Sequence, residues 1–260
     1  MGKAKRLKQT KPPVVKSAPA RTDWRAYARR TLREFLPVIA IFLVTRTMLA
    51  EAYRIPSGSM MPTLLVGDWL FVNKVRFGPN IPFTNKHLPG YAEPKRGDVV
   101  VFVSPPQDPA IRMGPDDSVP VLVKRLVGMP GDTLMMRAGR LSVNGTVESK
   151  IVAPVAAADA HDALFAWQHR IELSGSRFGP PVAQPSLHEW GPLVVPPGEY
   201  FMMGDNRDDS VDSRYYGPVP RANFRGTPMF VYYSYDTEDG LDYFRAITEI
   251  RWRRLGTWIR

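Results

Sequence analysis

Between Pro56 and Asp239 no sustained helical periodicity of apolar residues occurs, and this constrains the fold more than any other feature of the chain. Short β-branched or aromatic runs stand there instead: DWLFVNK at 68–74, DVVVFV at 98–103, VPVLVKRLV at 119–127, then 133–137, 200–203 and 229–235. Bounded by Gly, Pro and Asp, such runs read as strands. LSVNGT at 141–146 is a strand entering an Asn-Gly turn, the strongest short-range hairpin signal. Residues 78–94 and 107–118 read as loops, and no internal repeat is present. The sequence therefore predicts a mostly β protein.

A chain of 260 residues buries ample core without covalent staples. It has no Cys, which removes disulfide scaffolds, thiol nucleophiles and thiolate-held metals at once. The formal net charge of +10 suggests nucleic acid until it is located. Residues 1–33 hold eleven Lys and Arg against one acid, Asp23, and this accounts for the whole excess. The rest of the chain is neutral, so no nucleic-acid partner is expected.

The segment after the basic tail gives that charge a purpose. FLPVIAIFLVTRTMLAEAY at 35–53 would span about 28 Å as a helix, close to the ~30 Å of a bilayer's hydrocarbon core. Arg46 and Glu51 interrupt it, and the uncharged run covers only 35–45. The basic flank favours a single span with the tail in the cytoplasm and everything after Tyr53 outside. A buried core helix and a cleaved signal peptide are the competing readings. Ala50-Glu51-Ala52 has the pattern of a cleavage site, although the basic flank is long for a signal peptide.

Standard catalytic motifs are missing: no G-x-S-x-G, P-loop, G-x-G-x-x-G or H-E-x-x-H occurs. His87, His161, His169 and His188 lack metal-ligand spacing and read as surface or loop residues, so no metal and no cofactor is expected. The acids Asp205, Asp208, Asp209 and Asp212 lack the glycine and glutamate of a calcium loop. Two oddities remain. PSGSMMPT at 56–63 is a rigid turn presenting hydroxyls, or a mere linker. Lys124-Arg125 interrupts an apolar strand, where side-chain alternation sends the two cations to opposite faces. A lysine turned inward loses hydration, its pKa falls, and it becomes a usable base. An edge strand with both heads reaching solvent explains the pattern equally well. Together the two oddities suggest a serine–lysine hydrolase that needs no histidine.

With these residues in view, the sequence resembles the bacterial type I signal peptidases, membrane-bound serine proteases that remove signal peptides from exported proteins. The resemblance runs in order through Tyr53-Arg54-Ile55, PSGSMMPTL at 56–64 with Gly67-Asp68, KRGDVVVF at 95–102, KRLVGMPGD at 124–132 and GDNRDDSVDSRYYG at 204–217. It implies Ser59 as nucleophile and Lys124 as general base. It also implies an oxyanion hole formed by the Ser59 N–H and the Ser57 hydroxyl, and Ser210 as the residue that orients the lysine. Asp205, Arg207, Asp212 and Arg214 match the charged network around the site, the last two as an ion pair. Asp209 stands where many relatives carry Asn, and it adds negative charge near Lys124.

The resemblance further implies a signal-peptidase-type catalytic β core at 54–140 and 194–245, interrupted by a small β domain at 141–193. Before the core would come the basic cytoplasmic tail 1–34 and the transmembrane helix 35–53. After it comes a Trp- and Arg-rich segment at 246–260, read equally as a membrane-surface anchor or a solvated tail. The implied partners are the lipid bilayer, preprotein signal peptides bound as an extended strand with small side chains at −1 and −3, and indirectly the export machinery. The implied location is the bacterial inner membrane, with the catalytic domain outside. Self-cleavage after Ala52 is a further possibility, opposed by the expectation that the segment stays helical. An autocleaving serine–lysine regulator would need a DNA-binding domain that residues 1–34 do not provide, and a non-enzymatic membrane-anchored β module would leave Ser59 and Lys124 idle.

Overall fold

A computed structural model describes residues 24–45, 49–79, 81, 88–111, 120–148, 163–175, 177–237 and 247–260. The chain divides into two compact units, 1–43 and 44–260. Helix α1, Trp24–Val44, forms the described part of the first and ends at the boundary. It starts inside the basic stretch, so Arg29, Arg30, Arg33 and Glu34 occupy its first half and only the remainder is apolar. Among the described residues no helix is long and apolar enough to cross a membrane. The expected span over 35–53 is accordingly not one helix: its last residues form strand β1, Ala50–Arg54. The reason is pairing, since β1 lies antiparallel on β2 (Asp68–Asn73) and Tyr53 packs against a buried apolar cluster.

The second unit holds two antiparallel sheets. β3 (Val99–Val103) and β4 (Val121–Gly128) fall where the sequence places strands. So does β5 (Thr133–Arg137). β6 (Arg140–Val143) and β7 (Thr146–Val147) form the hairpin that Asn144-Gly145 announces, with φ of 55° and 88° at the two turn residues. Then come β8 (Trp190–Val194), β9 (Glu199–Met203), the single-turn helix α2 (Ser213–Tyr216), β10 (Val219–Pro220) and β11 (Phe224–Ser234). The larger sheet has the order β1-β2-β11-β3-β4-β9-β10, and the smaller β7-β6-β5-β8.

β3 explains the sheet's thickness. Its unbroken VVVFV cannot present a polar face, so it is buried on both sides. Val99 and Val101 join a cluster with Ile55, Met60, Leu64, Leu70 and Val231, while Val100 and Phe102 join Phe77, Leu126, Met202 and Phe224. A third cluster ties the sheets together, as Val127, Phe201 and Met203 pack with Leu134, Met136, Trp190 and Leu193.

The smaller sheet includes β5, which pairs with both β6 and β8. The segment 247–260 is largely exposed but is tied to the larger sheet. It bridges to β11 at Phe230–Trp258 and Tyr235–Ile250, and Ile259 N donates to Met229 O at 2.9 Å.

Candidate active site

The 56–63 turn leaves β1 and is pinned at both ends. Ile55 N donates to Asp68 O at 2.8 Å, and Met60 and Leu64 plug into the core. Asp68 holds the exit: it accepts Leu65 N at 2.9 Å and Ser234 Oγ at 2.7 Å, and it pairs with Arg254. Arg254 also reaches Thr63 O at 3.0 Å, so the C-terminal segment braces the turn.

On β4 the two adjacent cations find separate surroundings. Lys124, 3% exposed, places Nζ 2.6 Å from Ser59 Oγ. Burial pushes the Lys124 pKa down to about 8 against the upward pull of Asp212; Arg214 adds to the fall, while Asp209 and Asp205 oppose it. The added charge of Asp209 thus acts in the direction the sequence suggests. Arg125 instead clasps Asp205, Nε to Oδ1 at 2.7 Å and Nη2 to Oδ2 at 2.6 Å, and Thr63 Oγ1 donates to the same carboxylate at 2.6 Å. Arg125 Nη1 also reaches Gly97 O at 2.6 Å and Arg260 O at 3.2 Å.

The loop after β9 closes the site. Asn206 N donates to Ser59 O at 3.1 Å and Asn206 Nδ2 to Gly58 O at 3.2 Å, fixing the backbone around Ser59. Gly204 permits this approach: a Cβ there would lie 2.2 Å from Ser210 Oγ and 2.5 Å from Ser59 O. Asp212 caps α2 and pairs with Arg214 through Nε to Oδ1 at 2.9 Å and Nη2 to Oδ2 at 2.8 Å, both residues fully buried. Arg214, together with the hydrogen bonds from it and from Gly204, holds the Asp212 carboxyl below its usual range despite burial. Arg207 binds Glu148 Oε2 at 2.9 Å and Gly204 O at 3.1 Å.

The structure therefore brings together Ser59, Lys124, Asp205, Asp212 and Arg214, with Arg207 one step further out. Ser57 is half-buried and lines the same cleft. Ser210 is buried beside Gly204, and its Oγ has no hydrogen-bond partner among the described residues; the bond to Lys124 that the resemblance implied is not formed. His188 lies in a loop as expected but is buried, with Nε2 2.6 Å from Asp208 Oδ1. Sequence reasoning missed Arg125, Thr63 and Asn206. Arg125 had a signal, because a second cation in an apolar strand needs a buried acid. Thr63 and Asn206 had none, since their roles depend on which loops meet.

Tyr53, Ile55, Pro56, Ser57, Gly58 and Ser59 form one wall of an open, mostly apolar cleft, and Val121, Leu122, Val123 and Lys124 form another. The β4 wall is half a strand edge. β3 pairs with β4 over Val121 to Arg125, whereas β9 pairs only from Arg125 onward. Toward the cleft, 121–124 carry no ladder partner among the described residues.

Residues 28–233 match the family described as Signal peptidase, peptidase S26. The chain is 38% identical over 220 residues to a signal peptidase I of Pseudomonas fluorescens, covering 78% of this chain and 72% of that one. It is 37% identical, with the same coverage, to a signal peptidase I of Pseudomonas aeruginosa. A crystal structure of a signal peptidase I from Enterococcus faecalis V583 shares 30% identity over 52% of this chain and 96% of that one, with a TM-score of 0.32. The chain belongs to the signal peptidase family, peptidase S26, and is an enzyme of that type.

Proposed function

We propose that this chain is a serine endopeptidase that removes signal peptides from exported preproteins, with Ser59 as nucleophile and Lys124 as general base. The observation that carries the reading is the 2.6 Å approach of a buried Lys124 Nζ to Ser59 Oγ. A hydrogen-bonded nucleophile and base within that distance meet the geometric requirement for proton transfer. With the amine neutral, the Ser59 hydroxyl donates to Nζ. Its oxygen attacks the scissile carbonyl as the proton passes to Lys124. The ammonium then protonates the leaving amine, and the neutral lysine next takes a proton from the water that releases the acyl group.

The oxyanion would be met by the Ser59 N–H, which donates to no other group among the described residues, and by the Ser57 hydroxyl. Each such donor contributes about 3 kcal/mol in comparable sites. The free edge at 121–124 favours a substrate bound as an extended strand, since main-chain hydrogen bonds then supply affinity without demanding a sequence. The apolar walls suit small side chains at −1 and −3. Asp205, Asp212 and Arg214 hold the loop and keep Lys124 in place, and Arg207 ties that loop to Glu148.

We place the enzyme at the bacterial inner membrane with its tail in the cytoplasm and its catalytic unit outside. Support comes from the basic tail and from the exposed apolar side chains of α1, among them Phe35, Leu36, Ile41 and Phe42. The test is preprotein processing in detergent or lipid with wild type, Ser59→Ala and Lys124→Ala, followed by N-terminal sequencing. Cleavage after an A-x-A site, lost in both folded variants, is the expected result. Cleavage that persists in Ser59→Ala would overturn the reading.

A further inference from the structure

The loop that braces Ser59 and Lys124 has a second side. Three parts of the segment between β6 and β8, which the reaction as proposed does not use, reach across to it. Glu148 Oε2 accepts Arg207 Nη2 at 2.9 Å, where the Arg207 side chain is almost wholly buried. From the 3-10 turn Ala163–Arg170, Trp167 Nε1 and Gln168 Nε2 both donate to Arg214 O, at 2.9 and 3.3 Å. Gln168 has no exposed surface at all. Just before β8, His188 Nε2 lies 2.6 Å from Asp208 Oδ1, and Leu187 O accepts Arg214 Nη1 at 3.5 Å. A carboxylate only accepts, so Nε2 carries the proton in that bond.

These contacts meet the loop residue by residue opposite its contacts to the site. Arg207 and Asp208 follow Asn206, which holds the Gly58 and Ser59 carbonyls. Arg214, gripped from outside through its carbonyl, is the residue whose guanidinium pairs with Asp212 from inside. Directional bonds between buried polar groups specify one geometry where apolar packing tolerates several. We propose that Glu148, the Ala163–Arg170 turn and the stretch at Leu187 and His188 position the Ser59–Lys124 pair by clamping the 204–214 loop, with Glu148, Gln168 and His188 as positioning residues. Only the activity readout of this inference rests on the function proposed above.

The experiment uses the full chain in detergent, with His188→Leu, Gln168→Leu and Glu148→Gln, and His188→Gln as the conservative control. The substrate is a synthetic peptide spanning a signal-peptide cleavage site with Ala at −3 and −1. His188→Leu is expected to lower kcat about tenfold with KM within about twofold, because a small displacement of catalytic groups costs rate more than binding. The rising limb of the pH–rate profile should also move to higher pH. The groups acting on Lys124 besides burial are Asp212, Arg214, Asp209 and Asp205, all on this loop or α2, and a loosened loop readmits water to the amine. Amide hydrogen exchange over 204–214 should quicken, and His188→Gln should restore much of both.

Unchanged exchange and an unmoved pH limb, with only the melting temperature lowered, would overturn the proposal. If wild type leaves the peptide intact, the proposed function has failed, and the exchange measurement, which needs no substrate, still decides the clamp. If His188→Leu does not fold, Glu148→Gln and Gln168→Leu decide it by the same readings.

Discussion

Lys124 Nζ stands 2.6 Å from Ser59 Oγ, while Arg125, the next residue on β4, turns to grip both oxygens of Asp205 at 2.7 and 2.6 Å. The affinities of two neighbouring cations for their protons are thereby shifted in opposite directions, Lys124 downward and Arg125 upward. Lys124 is buried with no carboxylate hydrogen-bonded to it among the described residues, so its proton is held less tightly than on an ordinary lysine. Burial alone would also lower Arg125, but the Asp205 carboxylate outweighs it and fixes the guanidinium as a charge. The alternation of side chains along a strand is what allows one dipeptide to supply both.

Activity should follow the neutral fraction of Lys124. With its pKa lowered to about 8, cleavage rises as pH climbs from 6 to 9 and is half-maximal near 8. A pH–rate profile of kcat/KM checks this, and a flat profile over that range would contradict a lysine base.

The same lysine carries a stability cost of calculable sign. Its folded pKa of about 8 lies below the roughly 10.4 of an unfolded lysine. Between those values the unfolded chain binds more protons, so stability rises with pH across that window and the cost is fully present below pH 8. Lys124→Met should therefore melt a few degrees higher than wild type at pH 7, taking about 2–4 °C per kcal/mol for a chain of this size. The difference should shrink toward pH 10. Parallel melts at both pH values test it.

Breaking a buried pair from one side strands a charge. Asp205→Asn leaves Arg125, and Asp212→Asn leaves the fully buried Arg214, each without its carboxylate. Each should lose about 3–5 kcal/mol in a denaturant titration. Arg30→Ala, which removes an exposed partner of Glu34, should be nearly silent in the same titration.

Gly204→Ala isolates the geometry of the turn. The added methyl would meet Ser210 Oγ at 2.2 Å and Ser59 O at 2.5 Å, so the Ser59 backbone must shift. Cleavage should fall about 100-fold with the fold retained, since small misplacements of reacting groups have that effect. Steady-state kinetics beside circular dichroism would show it, and unimpaired cleavage would mean that the turn yields harmlessly.

The sequence was legible where a local pattern decides the outcome. DVVVFV at 98–103 reads as a strand and Asn144-Gly145 as a hairpin turn, and both form as read. Ser59 and Lys124 could be picked out because hydroxyls on a rigid turn and a cation in an apolar strand are locally anomalous. Failures came where distant segments decide. Residues 50–53 end the segment read as a span in sequence but meet β2 in space, and the ladder won over the helix. Arg254 on Asp68, Asn206 on Ser59 and Trp167 on Arg214 join residues tens to nearly two hundred positions apart, and no spacing rule links them. The resemblance brings Ser210 to the site as the lysine's partner, but its hydroxyl makes no bond to Lys124.

β4 changes partners in mid-strand. From Arg125 onward its second edge is taken by β9, and before that this edge has no ladder partner among the described residues. A guest strand laid along 121–124 therefore meets a wall of existing hydrogen bonds one residue beyond Lys124. Such a stop measures position rather than composition. It would halt chains of any sequence at one depth, leaving the apolar walls of the cleft to decide only which of them stay.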